Sequence, residues 1–243
     1  MMKGITSEIR TNFLHSMNDI HDTTIISDNV EIGKGNVILP NTIIYGPTII
    51  GDNNIIGPNA VIGMPGQDTR NPRYDSSECK IKIGNNNIIR EFTSIQKPCY
   101  KDITEIGNDI YLMQGVRIPH DAIIESGVVI TPMCVLAGIT TVQKNANIGM
   151  GATISQYCVI GQYSIVATGA AVMKNVKPFS RYIPNKPISV NTYAVEKFGF
   201  KKYLNEITAY VIENSFPESE IIRRIIESFN KAHKKTRKGL YGV

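Results

Sequence analysis

No tryptophan occurs in the 243 residues, histidine and cysteine occur four times each, and aromatic residues make up only 7%. Each scarcity removes a class of protein. Cys79, Cys99, Cys134 and Cys158 lie far apart and form no CxxC pair, which is too few for a disulfide framework in a chain this long; reduced thiols in a cytoplasmic protein are expected. There is no run of 18 apolar residues, and the amino terminus lacks a basic segment followed by an apolar one. Neither an integral membrane segment nor a signal peptide is therefore expected. Basic residues are not interleaved with aromatics and no nucleic-acid motif occurs, so nucleic acid is not an expected partner. The net charge of +5 is unevenly placed: residues 177–243 hold 13 Lys and Arg against 6 Asp and Glu, whereas residues 1–176 hold 13 against 15. A basic end of this kind attracts phosphates or an acidic carrier protein, or is simply a solvated helix face.

What the chain has is a period. An apolar residue returns at every sixth position from Ile20 through Ile26, Ile32, Ile38, Ile44, Ile50 and Ile56 to Ile62. The register resumes at Ile83, Ile89 and Ile95, then runs through Ile106, Leu112, Ile118, Ile124, Ile130, Leu136, Val142, Ile148, Ile154, Ile160, Val166 and Val172. A helix repeats at 3.6 and a simple strand at 2, so a period of six marks a hexapeptide β-helix in which each hexad is a short strand and a turn. Three hexads close one triangular coil, and the periodic residues are core. Glycine follows many of them, as in Ile50-Gly51 and Ile106-Gly107, where a bend needs positive φ or close backbone approach.

Two segments break the register, Gly63 to Lys80 and Gln96 to Glu105, and are expected as loops extruded from the coil. The pattern stops at Lys177-Pro178, which divides the chain into a β-helix over 1–177 and a helical carboxyl-terminal domain over 178–243. Within the latter, Tyr193 to Val211 is expected to be helical, Ser215-Phe216-Pro217-Glu218 is a helix cap candidate, and Ile221, Ile222, Ile225, Ile226 and Phe229 form an apolar stripe for packing.

Only one histidine, His120, lies in the middle of the coil, and Asp121 follows it. Two positions past interior Ile118, it shares its place in the hexad with Gly138 one coil later and Gln156 one further. The stack offers a base, a gap for a slender substrate beside a backbone N–H, and a hydrogen-bonding amide; a carboxylate beside the imidazole fixes its tautomer. A packing or surface histidine is the competing reading. A metal-dependent hydratase would need three converging imidazoles, which one central histidine does not supply, and a non-catalytic scaffold would need no polar column at all.

Several motifs occur in a fixed order: Gly66-Gln67-Asp68-Thr69-Arg70, Ile83-Gly84-Asn85-Asn86-Asn87, Pro119-His120-Asp121, Leu136-Ala137-Gly138, Gln156-Tyr157-Cys158, Val190-Asn191, Gly199-Phe200 and Arg237-Lys238-Gly239-Leu240. In order and spacing the chain resembles the acyl-carrier-protein-dependent UDP-N-acetylglucosamine O-acyltransferases of lipid A synthesis, nearly end to end. The resemblance implies a left-handed parallel β-helix with two loops and an α-helical appendix, working as a cytoplasmic homotrimer with no resident cofactor or metal. It implies His120 as general base, Asp121 as its support and the Gly138 N–H as oxyanion donor. Gln67, Asp68, Arg70, Arg117 and Gln156 would contact substrate, and Asn191 and Lys197 would grip the nucleotide. An acyl-carrier protein or coenzyme A would bring the acyl group as co-substrate, and the acceptor would be a nucleotide-linked sugar in lipid A or surface polysaccharide synthesis. The alternatives are an acetyl-CoA-dependent N-acetyltransferase on a nucleotide-linked amino sugar and a β-helix scaffold.

Departures from the family cluster around the substrate. Arg117, Ile139 and Ser155 stand where the family has histidines, and Tyr193 and Phe198 stand at charged positions of its nucleotide segment. The expected outcome is conserved acyl-transfer chemistry on a different acceptor, acyl group or both.

Overall fold

The computed structural model describes residues 17–68, 70 and 78–242. From Asp19 to Tyr182 the chain winds as a left-handed parallel β-helix whose short strands stack into three sheets. Each strand pairs in parallel with the one a full coil later, as Ile38 does with Ile56 and Ile130 with Ile148. The first break widens the offset between partners, so that Ile55 faces Ile88, and the second sets Ile88 opposite Tyr111. Both insertions leave at one corner, between second-sheet strands Val61–Met64 and Ser94–Gln96 and third-sheet strands Lys80–Ile83 and Ile103–Ile106. The coil continues beneath the two loops with one irregularity, a register shift that sets Gln96 opposite Met64.

From Ile38 to Val172 every periodic aliphatic is at most 2% exposed, and burying each such side chain stabilises by about 1.5–3 kcal/mol. Ile20 is 39% exposed because it lies in the first coil, which among the described residues has a neighbour on one side only. A second interior column, two residues before each first-sheet isoleucine, is polar at this end. Asn36, Asn54 and Asn87 are fully buried; the Asn54 amide oxygen accepts from the Asn87 backbone N–H at 2.9 Å, while its Nδ2 donates to the Gly84 carbonyl and to Asn36 Oδ1. The same column becomes Ile110, Val128 and Ala146 farther along.

At the corners the positive φ falls three residues after the periodic aliphatic, mostly on Asn, Asp and Gly, including Asn41, Asn53 and Asp121. Most glycines directly after the aliphatic serve close approach instead, as at Gly51, where a Cβ would lie 2.8 Å from the Gly84 carbonyl oxygen; Gly57 and Gly63 also take positive φ.

Ser180–Tyr182 still pairs with Ile165–Val166, so the sequence break at Lys177-Pro178 falls inside the last turn of the coil. Ser189–Val190 then adds to it antiparallel. Three helices follow: α1 (Thr192–Lys197), α2 (Leu204–Glu213) and α3 (Glu220–His233). The single helix expected over Tyr193–Val211 is divided, because Gly199 turns left-handed and Phe200 packs against Tyr163 and Phe179. The last helix is preceded by Ser219 rather than Ser215, and the Ser219 hydroxyl donates to the Glu206 carboxylate instead of capping its own helix. Ile222, Ile225, Ile226 and Phe229 are buried, while Ile221 is 46% exposed. Lys177, itself buried, donates to the Val211 and Tyr210 carbonyls and to Asn214 Oδ1, capping the end of α2; burial pulls its pKa down. The tail returns to the coil at Asn175, whose backbone bonds Gly239 and Tyr241 and whose side chain bonds the Val159 N–H, His233 and Thr236.

Asn54→Ala would leave the Asn87 N–H and the Gly84 carbonyl unsatisfied in the interior, at ~1–3 kcal/mol each. A denaturant titration should show a clear fall in unfolding midpoint, whereas an unchanged midpoint would mean that the asparagine column is not a structural support.

Candidate active site

The corner that releases both loops is the corner that carries His120, one and two coils later. The strand Arg117–Ile118 ends there, and Asp121 takes the left-handed turn at φ 61. His120 is 7% exposed and Asp121 fully buried; Nδ1 of the imidazole lies 2.7 Å from Asp121 Oδ2. A carboxylate only accepts, so Nδ1 is the donor, and in the neutral imidazole Nε2 carries the lone pair. The second loop supplies the rest of the carboxylate's partners: the backbone N–H groups of Cys99, Tyr100 and Lys101 donate to it at 3.2, 3.1 and 2.7 Å. Burial alone would raise the Asp121 pKa, but the hydrogen bonds from His120 and these three amides outweigh it and hold the carboxyl below its ordinary value. The Asp121 N–H in turn bonds Thr104 Oγ1 at 3.0 Å.

One coil on, Gly138 lies against the imidazole. A Cβ there would stand 2.3 Å from His120 Nε2, so any other residue would displace the base. Ala137 and Ile139 donate their N–H groups to neighbouring coils, whereas the Gly138 N–H has no acceptor among the described residues. An uncommitted amide beside a free imidazole nitrogen is what an oxyanion requires. Gln156, half-buried, sits a coil farther at the same corner, where its neighbour Tyr157 bonds the Gly138 carbonyl at 3.1 Å.

The first loop packs on this pair. A Cβ on Gly66 would meet Cys99 Sγ at 2.2 Å and His120 Cβ at 2.7 Å. Asp68 is held by a fork from Arg70, with Nε to Oδ1 at 3.1 Å and Nη2 to Oδ2 at 3.0 Å, and by the Tyr100 hydroxyl at 2.7 Å. The bonds from Arg70, then Tyr100, keep its pKa well below the usual carboxylate range. Tyr100 thus joins the two loops, and its ring meets His120 edge-on at 5.9 Å. Gln67 Oε1 accepts from Arg117 Nη2. Seven of the expected residues, His120, Asp121, Gly138, Gln67, Asp68, Arg70 and Arg117, accordingly meet at one corner.

Asn191 and Lys197 lie elsewhere in the chain. Asn191 is the N-cap of α1, accepting from Ala194 and donating to the Tyr163 carbonyl at 2.8 Å. Lys197 Nζ lies 5.7 Å from the centre of the Tyr193 ring and 5.2 Å from that of Phe198. Three contributors escaped sequence reasoning: Tyr100, Cys99 and Lys238, whose Nζ reaches Ser155 Oγ at 3.0 Å. Only the second register break hinted at the first two, and nothing local hinted at the last.

Donor atoms of Cys99, His120 and Asp121 lie within 4.8 Å of one another. Burial, with Asp121 adding to it, pushes the Cys99 thiol up to about 11, so it stays protonated at neutral pH and is a poor metal ligand. The Asp121 oxygens are spent on four hydrogen bonds. The trio is built for hydrogen bonding.

Residues 20–63 match the bacterial transferase hexapeptide (six repeats) family. Over a longer stretch the chain is similar to acyl-[acyl-carrier-protein]–UDP-N-acetylglucosamine O-acyltransferases. It is 33% identical to that of Aliivibrio salmonicida over 141 residues, 56% of this chain and 54% of the relative, and 32% identical to that of Janthinobacterium over 139 residues. The chain thus spans about half the length of the relatives it matches in sequence. The structural likeness reaches farther. The UDP-N-acetylglucosamine acyltransferase of Francisella novicida superposes with a TM-score of 0.63 at 27% identity, covering 93% of both chains; that of Bacteroides fragilis does so with 0.69 at 26%, covering 93% of this chain and 99% of its own.

Two measurements test this geometry. Because the Asp121 pKa is lowered in the folded state, its contribution to stability is complete above the unfolded carboxylate value near about 4 and is lost as pH falls through the lower folded value. The melting-temperature gap between wild type and Asp121→Asn should be level between about pH 5 and 8 and shrink below about pH 4; a gap that widens in acid would contradict the assignment. Tyr100→Ala should uncover His120, speeding its modification by diethyl pyrocarbonate severalfold when the adduct is located by mass spectrometry. An unchanged rate would show that the tyrosine does not shield the base.

Proposed function

We propose that the protein transfers an acyl group from a pantetheine thioester to a hydroxyl or amine of a nucleotide-linked sugar. The observation that carries this is the free Nε2 of His120 beside the uncommitted N–H of Gly138, two groups that acyl transfer uses together. His120 Nε2 takes the acceptor's proton as the acceptor atom bonds to the thioester carbonyl carbon. The oxyanion that forms faces the Gly138 N–H, and a donor so placed is worth about 2.7–4 kcal/mol to the transition state. The C–S bond then breaks, and the imidazolium, steadied by Asp121, returns the proton to the departing sulfur.

The relatives' names place an acyl-carrier protein and UDP-N-acetylglucosamine on the two sides of this reaction, and this chain takes substrates of the same classes. Acyl-carrier protein as donor suits the basic carboxyl-terminal segment, with Lys234, Lys235, Arg237 and Lys238 in one run; coenzyme A shares the pantetheine arm. Gln67, Asp68, Arg70, Arg117 and Gln156 hold the acceptor, and Asn191 and Lys197 take the nucleotide. A homotrimer, with the arm lying in the groove between coils, would cover apolar side chains that stand exposed in the protomer, among them Met133, Val135, Met150 and Met173. Among the described residues no helix is long and apolar enough to cross a membrane, and a cytoplasmic enzyme serving lipid A or surface polysaccharide synthesis is the setting that fits.

The test is product formation by mass spectrometry with acetyl-CoA and a 3-hydroxyacyl carrier protein against UDP- and dTDP-linked sugars. A product should form with one donor and fall by at least about a thousandfold in His120→Ala, the scale of losing a catalytic base together with its alignment, while the melting temperature stays close to wild type. Acylation that survives His120→Ala would refute the mechanism.

A further inference from the structure

Beside His120, where the first loop folds over the outer face of the second sheet, lies a cavity of about 430 Å³ whose walls include Met64, Gln67, Ser94, Gln96 and Arg117. Two of its polar groups are not accounted for within the protein. Gln96 is 5% exposed, yet its Oε1 has no hydrogen-bond partner among the described residues. Buried acceptors are ordinarily paired, and an orphan calls for an explanation. Arg117 meets only the neutral oxygen of Gln67 and has no carboxylate partner among the described residues. The neighbouring guanidiniums differ in this respect: Arg70 is paired with Asp68 and Arg90 with Glu91. The cavity thus holds one uncompensated positive charge and one acceptor waiting for a donor.

A guanidinium presents its N–H groups as a planar fork that fits the two oxygens of a carboxylate, and it does so better than a point charge. An amide oxygen takes a hydroxyl or N–H. Arg117 lies on the strand that ends at the base, three residues before His120, so the group it meets belongs to the part of the acceptor that reacts and not to the distant nucleoside. Resting on the acyl-transfer function proposed above, the geometry points to an acceptor sugar that carries a carboxylate, its anionic oxygens on Arg117 and an adjacent hydroxyl or amide N–H on Gln96. The sugar is an acidic one, of the uronic acid or carboxyalkyl ether class.

The competing source of negative charge is the diphosphate that every nucleotide sugar shares, and a matched set of ligands separates the two. Calorimetric titrations without any thioester donor would compare UDP-N-acetylglucosamine with its 6-carboxylate, UDP-N-acetylglucosaminuronic acid, and with UDP-N-acetylmuramic acid, whose carboxylate is on an ether at carbon 3. One of the acids should bind at least tenfold more tightly than the neutral parent. Arg117→Gln should abolish that advantage, weakening the preferred acid at least tenfold more than the neutral parent, and Arg117→Lys, which keeps the charge but loses the fork, should fall between. Equal binding of all three ligands, no binding by any, or an equal loss for all three in Arg117→Gln would overturn the proposal; the last result would assign the guanidinium to the diphosphate. Because no turnover is measured, a preference for the acid that persists while no acylated product forms would sink the acyl-transfer function and leave the anion site standing.

Discussion

The structure depends on one constraint: each backbone N–H of a strand must find a carbonyl of an adjacent coil, and for most of the chain paired strand residues are 18 positions apart. A chain that keeps this spacing can stack indefinitely, with aliphatics inside and turns outside. A chain that departs from it must put the surplus somewhere, and a corner is the only place where extra residues leave the ladder intact. Both departures here use the same corner. Both breaks in the six-residue register thus leave from one edge of the prism, beside a histidine.

That gathering explains how a rigid scaffold holds a reactive group. His120 is set by its strand, by the left-handed turn at Asp121 and by the glycines that leave room for it on either side. Asp121 is set by three amides of the second loop. Such a carboxylate accepts charge-assisted hydrogen bonds, which are about twice as strong as neutral ones, so base and loop hold each other in place. Asp68, with Arg70 and Tyr100 on its two oxygens, ties the first loop to the second in the same way. Among the described residues the corner is a network in which Asp68 and Asp121 are both satisfied, and against it Arg117, which meets only the neutral oxygen of Gln67, and the unpartnered Oε1 of Gln96 stand out.

The interior was legible because a period of six has a single packing solution, and counting in eighteens stacks His120, Gly138 and Gln156 before any coordinate is known. Loop contacts were not legible, since they follow from the path of an irregular backbone: nothing in Pro98-Cys99-Tyr100-Lys101 announces that three consecutive amides will point at one carboxylate. The bond between Lys238 and Ser155 bridges 83 positions and has no local signal. Helix boundaries failed for a related reason. The apolar spacing of 193–211 is helical throughout, but Phe200 packs edge-on against the stacked rings of Tyr163 and Phe179, and Gly199 makes the break possible.

A stack of parallel coils has a further difficulty, which is that it ends. The last coil offers unpaired N–H and carbonyl groups to any strand that arrives, and an exposed edge of that kind is a template for growth into fibres. In this chain Ser189–Val190 lies antiparallel on Ser180–Tyr182, a direction in which no further coil can be added, while the tail folds back to Asn175. The appendix therefore works as a terminator. It keeps a surface that is self-complementary by construction from recruiting copies of itself.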